Sequence, residues 1–242
     1  MKANSTAPAR NREARKTANR QKLIEATIDA IAEVGLSDTT VGTVVRRAGL
    51  SQGIVNLHFD TKEALLAETL RFLSVEWEAA WRDRLDRATA DPAMQLQNML
   101  LSVFEPSVFN RRKLAAWHAF YADSKHQAAY RAVAGPSDRV YLETLTGLCR
   151  QLVDDGEDGG NGDLDAKLVA KGLRAMTDGL CLDWLTNPRA TSRAEARRIC
   201  LQALRTSFPR HFPLATPAGA ARRARHVGSR GMRRAGPSVR TI

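Results

Sequence analysis

Residues 39–59 read Thr-Thr-Val-Gly-Thr-Val-Val-Arg-Arg-Ala-Gly-Leu-Ser-Gln-Gly-Ile-Val-Asn-Leu-His-Phe, and they constrain the fold more than any other stretch of the chain. Thr40 and Ser51 each precede a short helical segment, and a hydroxyl oxygen at such a position can accept from a free N–H of the first turn. Gly49 stands between the segments, where a tight turn needs φ > 0. Val44, Val45, Ala48, Leu50, Val55 and Phe59 form an apolar set that can close a small core over a preceding helix. The pattern predicts two crossed short helices, residues 41–48 and 52–59: a helix-turn-helix.

The flanking segments fit this unit. Residues 18–34 place Ile24, Ile28 and Ile31 on one face, with Leu23 and Val34 beside it, and Gly35 stops the helix. Asp60 or Thr61 caps a long helix over residues 62–88, with Glu63 where a capping-box acid belongs. Its stripe is Leu66, Leu70, Leu73, Trp77 and Trp81, and its length is roughly 40 Å. Further helices are expected at 91–104, 111–133 (with a break), 137–154, 163–186 and 191–208. Tyr141, Leu145, Leu148 and Leu152 mark one later stripe; Leu173, Met176, Leu180 and Trp184 mark another. Residues 154–162 read as an acidic, glycine-rich loop, and Pro188 starts a turn. No alternating apolar pattern demands a strand and no repeat is visible, so the fold class is all-α.

Charge is informative once located. Residues 1–22 carry a net +6 and residues 209–242 a net +8, leaving the residues between at −3 out of a total of +11. The basicity sits in two ends, read as unstructured tails over 1–17 and 209–242, where it attracts phosphates without sequence preference. A non-specific nucleic-acid binder driven by those ends is therefore an open alternative.

Other classes find little support. Cys149, Cys181 and Cys200 have no metal-ligand or disulfide spacing and read as small buried side chains. The histidines, at 58, 118, 126, 211 and 226, have no partner arrangement for catalysis, and the glycines at 156–162 lack the Lys-Ser/Thr of a phosphate loop. No stretch approaches the apolar length of a membrane span, and no signal peptide precedes the first helix. The expectation is a cytoplasmic protein without enzymatic activity, cofactor, metal or membrane partner.

In a helix-turn-helix the second helix enters the major groove with its N-terminal residues against base edges. Gln52 can then pair with adenine, Asn56 and His58 reach the groove wall or phosphates, and Thr40, Thr43 and Lys62 suit phosphate contacts that fix register. With Val41, Ser51 and Gly53 these make up the candidate DNA-facing set.

Residues 26–66 closely resemble the TetR-family DNA-binding domain. The resemblance is carried by Gly35, Thr39-Thr40-Val41, Ala48-Gly49-Leu50-Ser51, Gly53, Phe59 and Lys62-Glu63-Ala64-Leu65-Leu66. Two positions depart from the family pattern: Asn56 replaces a tyrosine that usually touches the DNA backbone, and Val44-Val45 replaces Ile-Ala. Gln21-Lys22-Leu23-Ile24-Glu25-Ala26-Thr27, Leu114-Ala115-Ala116-Trp117-His118-Ala119-Phe120-Tyr121-Ala122 and Met176-Thr177-Asp178-Gly179-Leu180-Cys181-Leu182 are similar to segments of the choline-sensing, BetI-type branch, with Cys181 in place of a tryptophan.

That resemblance implies a TetR-like architecture. Residues 18–62 form a three-helix DNA-binding domain, and 63–208 form a helical ligand-binding and dimerisation domain. The last two long helices pair with a second copy, Met176, Leu180, Trp184, Ile199, Leu204 and Phe208 supplying the seam. A pocket among the middle helices draws on Trp77, Trp81, Trp117, Phe120 and Tyr121, with Asp178 to balance a quaternary ammonium such as choline. The implied partners are double-stranded operator DNA, a small-molecule effector and a second copy of the chain.

Overall fold

The computed structural model describes residues 6–123, 126–155 and 164–213. The chain runs through α1 (Thr6–Asp38), α2 (Val41–Ala48), α3 (Gln52–His58), α4 (Lys62–Asp86), α5 (Pro92–Leu101), a 3₁₀ turn (Ser102–Phe104), α6 (Arg111–Ala122), α7 (Gln127–Val133), α8 (Gly135–Asp154), α9 (Ala166–Thr186) and α10 (Arg193–Ser207). Among the described residues there is no strand, as the periodicity predicts. None of these helices is long and apolar enough to cross a membrane.

The start signals act largely as read. Thr40 accepts from the Thr43 N–H at 3.1 Å and Thr61 from Ala64 at 3.0 Å. The choice of Thr61 over Asp60 moves Glu63 to the second residue of α4, so no capping box forms; Glu63 instead faces the positive end of the helix. Ser51 occupies the N-cap of α3 but makes no side-chain capping bond, contrary to expectation. Thr39 is buried and its hydroxyl donates to the Gly35 carbonyl at 2.7 Å. Of the two adjacent threonines, one therefore packs and the other caps.

Two glycines make the turns. Gly35 adopts φ 84, ψ 170 and breaks α1, leaving one further turn to Asp38. Gly49 sits at φ 65, ψ 32, and the Leu50 N–H reaches back to the Val45 carbonyl at 3.0 Å. Both conformations lie where a Cβ is disfavoured.

The first helix is longer than the sequence suggested. It begins at Thr6, so residues 6–17, expected as a tail, are helical. Residues 1–5 lie outside the described residues, as do 156–163, which hold most of the expected acidic loop, and 214–242 of the C-terminal tail. At the other end, Pro209 does not begin a free tail. The Phe212 N–H bonds to the Phe208 carbonyl, the His211 ring lies 3.2 Å from the Leu152 carbonyl, and Phe212 packs on the core.

Two apolar cores result. One joins Leu23, Ile24, Ile28 and Ile31 of α1 to Val44, Val55, Phe59, Leu66 and Leu70, and it also takes Ala116, Phe120 and Tyr130 from α6 and α7. The other gathers Trp81, Leu96, Leu100, Tyr141, Leu145, Leu173, Cys200, Leu204 and Phe208. Val34, read beside the α1 stripe, is instead 42% exposed because Gly35 ends the helix there. The three cysteines are buried, and burial pushes each thiol up to about 12.

Candidate functional site

The first site is the outer face of α3. Val55 faces the core and Ile54 and His58 are half-buried, while Gln52, Gly53, Asn56 and Leu57 are exposed. Thr40 is exposed and Thr43 half-buried, their hydroxyls 2.9 Å apart at the start of α2. Lys62 reaches the Ser37 carbonyl at 3.5 Å. Gln52, Gly53 and Asn56 thus stand free for a partner, while Thr40, though exposed, is engaged as the cap of α2. Val41 is not free either: it packs against the core. His58 also turns inward, its Nε2 buried with no hydrogen-bond partner among the described residues. Burial, reinforced by Lys16 and Arg20, holds this imidazole below its ordinary range. It sits half-buried beside α1.

Arg20 fixes α1 against this unit. Its guanidinium pairs with Glu68 at 2.5 Å and lies 5.7 Å from the Phe59 ring centre. Residues 10–17 continue outward as exposed helix carrying Arg10, Arg12, Arg15 and Lys16.

The second site is a partly open cavity of about 320 Å³ lined by α4, α6, α7 and α9. Trp77, Trp117, Tyr121 and Asp178, all expected in an effector pocket, line it together. Two others do not. Trp81 is fully buried between Arg82, 4.6 Å from its ring centre, and Tyr141, 5.7 Å away. Phe120 faces α1 in the N-terminal core. Each is one turn or one position away from a lining residue, and the helical rotation takes it elsewhere.

Tyr130 completes the aromatic wall. The Trp77 and Trp117 ring centres are 6.3 Å apart, Trp117 and Tyr130 5.9 Å, and Tyr121 and Tyr130 5.6 Å. Charged groups unnoticed in the sequence also line the space. Lys113 Nζ donates to Glu76 Oε2 at 2.5 Å. Arg174 Nη2 donates to Asp138 Oδ1 at 3.1 Å and Nε to Asp178 Oδ2 at 3.4 Å, its guanidinium carbon 5.8 Å from the Trp77 ring centre. Burial pushes the Asp138 and Asp178 carboxyls above their ordinary range, with Arg174 opposing the rise. Burial also lowers His118, against the pull of Asp178. Among the lining residues Glu76 and Asp178 are matched by Lys113 and Arg174, and Asp138 holds Arg174 from outside the lining. No single-sequence signal gives the Lys113–Glu76 and Arg174–Asp138 pairs, because α4, α6, α8 and α9 meet only in the fold, whereas Arg174–Asp178 is an i,i+4 pair within α9.

The third feature is the outer side of α9 and α10. Leu204 and Phe208 have no exposed surface, so they belong to the protomer core and not to a seam between copies. Met176, Leu180 and Trp184 are half-buried against that core, Trp184 with its ring 4.4 Å from that of Phe109. What faces outward is Leu168, Gly172, Ala175, Gly179 and Leu182, spaced alternately four and three residues apart, together with Ile199; Gly179 and Leu182 also border the cavity. That spacing is the seam pattern of paired helices.

Comparison with known proteins adds the following. Residues 23–69 match the family described as bacterial regulatory proteins, tetR family, and residues 92–209 the family described as BetI-type transcriptional repressor, C-terminal. The HTH-type transcriptional regulator BetI of Serratia proteamaculans is 33% identical over 196 residues, 80% of this chain and 94% of that protein. A crystal structure of a candidate transcriptional regulator from Pseudomonas aeruginosa PAO1 superposes with a TM-score of 0.67 at 30% identity, covering 84% of this chain and 92% of that one. One from Saccharomonospora viridis, solved in complex with choline, superposes with a TM-score of 0.65 at 22% identity, covering 77% and 95%.

Proposed function

The chain belongs to the TetR family of bacterial regulatory proteins, with a BetI-type C-terminal half, and on the premise that it is a transcriptional regulator we propose that it is a homodimeric repressor released from its operator by a small cation. In this reading residues 18–62 bind DNA and 63–208 bind effector and partner. Gln52 and Asn56 read base edges, while Thr40, Thr43 and Lys62 hold phosphates. The outward stripe of α9 and α10 pairs with its symmetry mate. That places two α3 helices about 34–36 Å apart, so the operator is palindromic.

The observation that carries the effector assignment is the cavity's aromatic wall. Trp77, Trp117, Tyr121 and Tyr130 line it beside the Asp178 carboxylate, and a cation over an aromatic face gains roughly 0.5–2 kcal/mol per ring. The choline complex of the S. viridis protein supports a quaternary ammonium as the first candidate. Arg174 already covers part of the Trp77 face, so an incoming cation takes the side lined by Trp117, Tyr121 and Asp178.

The effector shifts the protein toward a state with poorer operator affinity, and linkage requires operator to weaken effector binding by the same factor. The test is fluorescence anisotropy of labelled operator DNA titrated with choline and related amines. Release by a quaternary amine, and none by an isosteric neutral alcohol, supports the reading. Binding of operator unaffected by every cation tested would overturn the effector assignment and leave the DNA assignment standing.

A further inference from the structure

Contacts to bases and phosphates account for the polar residues of the α3 surface, but they leave Leu57 unexplained. Its side chain is 64% exposed on a helix that buries Val55 almost completely. Single exposed leucines are common and need no explanation; this one is distinguished by its neighbours. At 3.6 residues per turn, Gln52, Asn56, Gly53 and Leu57 lie in that order across an arc of about 140°. Leu57 and Gln52 form its two flanks, and Gly53 and Asn56 the middle.

Gly53 has no role in the fold. Its backbone φ is not positive, and a Cβ built there would meet nothing within 4 Å. Glycine nonetheless weakens a helix by about 1 kcal/mol relative to alanine. The bare centre of the arc lets a flat surface come close to the backbone of α3, with an amide on one edge and an isobutyl group on the other. Base edges in the major groove offer one apolar group, the C5-methyl of thymine.

We propose that Leu57 packs against a thymine methyl in each half of the operator, and so selects thymine at a position that Gln52 and Asn56 do not read. The inference rests on the assignment of α3 to the major groove. It makes Leu57 a specificity-determining residue even though it has no hydrogen-bonding group.

The test uses the full chain. Its preferred duplex is first obtained by selection from a random library, and each thymine is then replaced singly by deoxyuridine, which removes the methyl and nothing else. One symmetric pair of replacements is expected to weaken binding by about fourfold each, the worth of one buried carbon. In Leu57→Ala, thymine and uracil at that pair should bind alike, whereas Leu57→Met should keep a preference. Because Leu57 is 64% exposed and belongs to neither apolar core, both variants should give the helical circular dichroism and melting profile of the parent. A flat uridine scan, or a methyl preference that survives in Leu57→Ala, overturns the proposal. Failure of the library to yield any preferred sequence, or a preference untouched by Gln52→Ala with Asn56→Ala, overturns the groove assignment beneath it.

Discussion

Arg112 of α6 donates through Nε to Asp29 of α1 at 2.5 Å, and its Nη2 pairs with the Glu25 carboxylate. Arg112 thereby ties the first helix of the DNA-binding unit to a helix whose other face, through Lys113, Leu114, Trp117 and His118, lines the cavity. A shift of α6 as the cavity fills therefore pulls on α1 directly. Half-exposed ion pairs add little to stability, about 1 kcal/mol or less, so Arg112→Met should melt within a few degrees of the parent. Effector affinity should stay within about twofold. The effector-induced drop in operator affinity, a coupling of about 1–3 kcal/mol in such systems, should shrink markedly. Parallel titrations of effector alone and of operator with saturating effector separate the two quantities.

Asp178 sets a pH dependence for effector binding. Its side chain is 59% exposed at the mouth of the cavity, where the neighbouring apolar wall raises the carboxyl and Arg174 only partly offsets the rise. A bound cation favours the ionised form and lowers that pKa, so binding releases a proton in the range between the two values. Cation affinity is then greatest above the raised pKa and falls as pH drops through it. Calorimetric titration across the acidic range should show this decline, and Asp178→Asn should bind several-fold more weakly with a flatter pH profile.

The sequence disclosed the elements better than their outward faces. The apolar stripes of α1 and α8, the Thr40 cap and the Gly49 turn all depend on neighbours within a few residues, and periodicity or local hydrogen bonding reports them. Trp77 and Trp81 show the limit. They lie one turn apart on the same stripe of α4, yet α5 and α8 enclose Trp81 while Trp77 borders the cavity. Nothing local distinguishes them. The same holds for α9 and α10, where the strongest apolar stripe is claimed by the protomer's own core, leaving a smaller-residue stripe of Leu168, Gly172, Ala175, Gly179 and Leu182 to face outward.

That division gives contrasting substitutions. Ala175→Glu places a charge in the outer stripe without disturbing the protomer core. It should give a folded monomer by light scattering and lose most operator affinity, because one α3 contacts only one half-site. Leu204→Ala acts inside the protomer and should lower stability by about 2–5 kcal/mol, visible as a fall in melting temperature.

The two turn glycines should differ in sensitivity. Gly49 occupies the left-handed region, which asparagine also visits, so Gly49→Asn should be nearly neutral and Gly49→Ala should cost about 1–2 kcal/mol. Gly35, at φ 84 and ψ 170, lies in a region that is essentially glycine-only, and either replacement there should cost up to about 3 kcal/mol. A Cβ added at either site would have no neighbour within 4 Å, so backbone conformation alone sets the difference, and chemical denaturation of the four variants measures it.

The helical extension of α1 should contribute affinity without specificity. Arg20 anchors it beside Phe59, and Lys16 and Arg12 follow at successive four-residue steps outward on the same side. Each step advances about 6 Å along the helix, a rigid row of cations leading away from the recognition unit. Charges so placed release counterions from DNA whatever its sequence, and each lost phosphate contact lowers the slope of log affinity against log salt by about 0.9. Replacing Arg12 and Lys16 by alanine should therefore weaken operator and scrambled DNA by the same factor and reduce the salt slope by up to about 2. Gln52→Ala with Asn56→Ala should do the reverse, leaving the slope alone and removing most of the difference between the two duplexes, the thymine preference of Leu57 excepted. Loss of discrimination in Arg12→Ala with Lys16→Ala, and none in Gln52→Ala with Asn56→Ala, would show that the extension, rather than α3, carries the sequence preference.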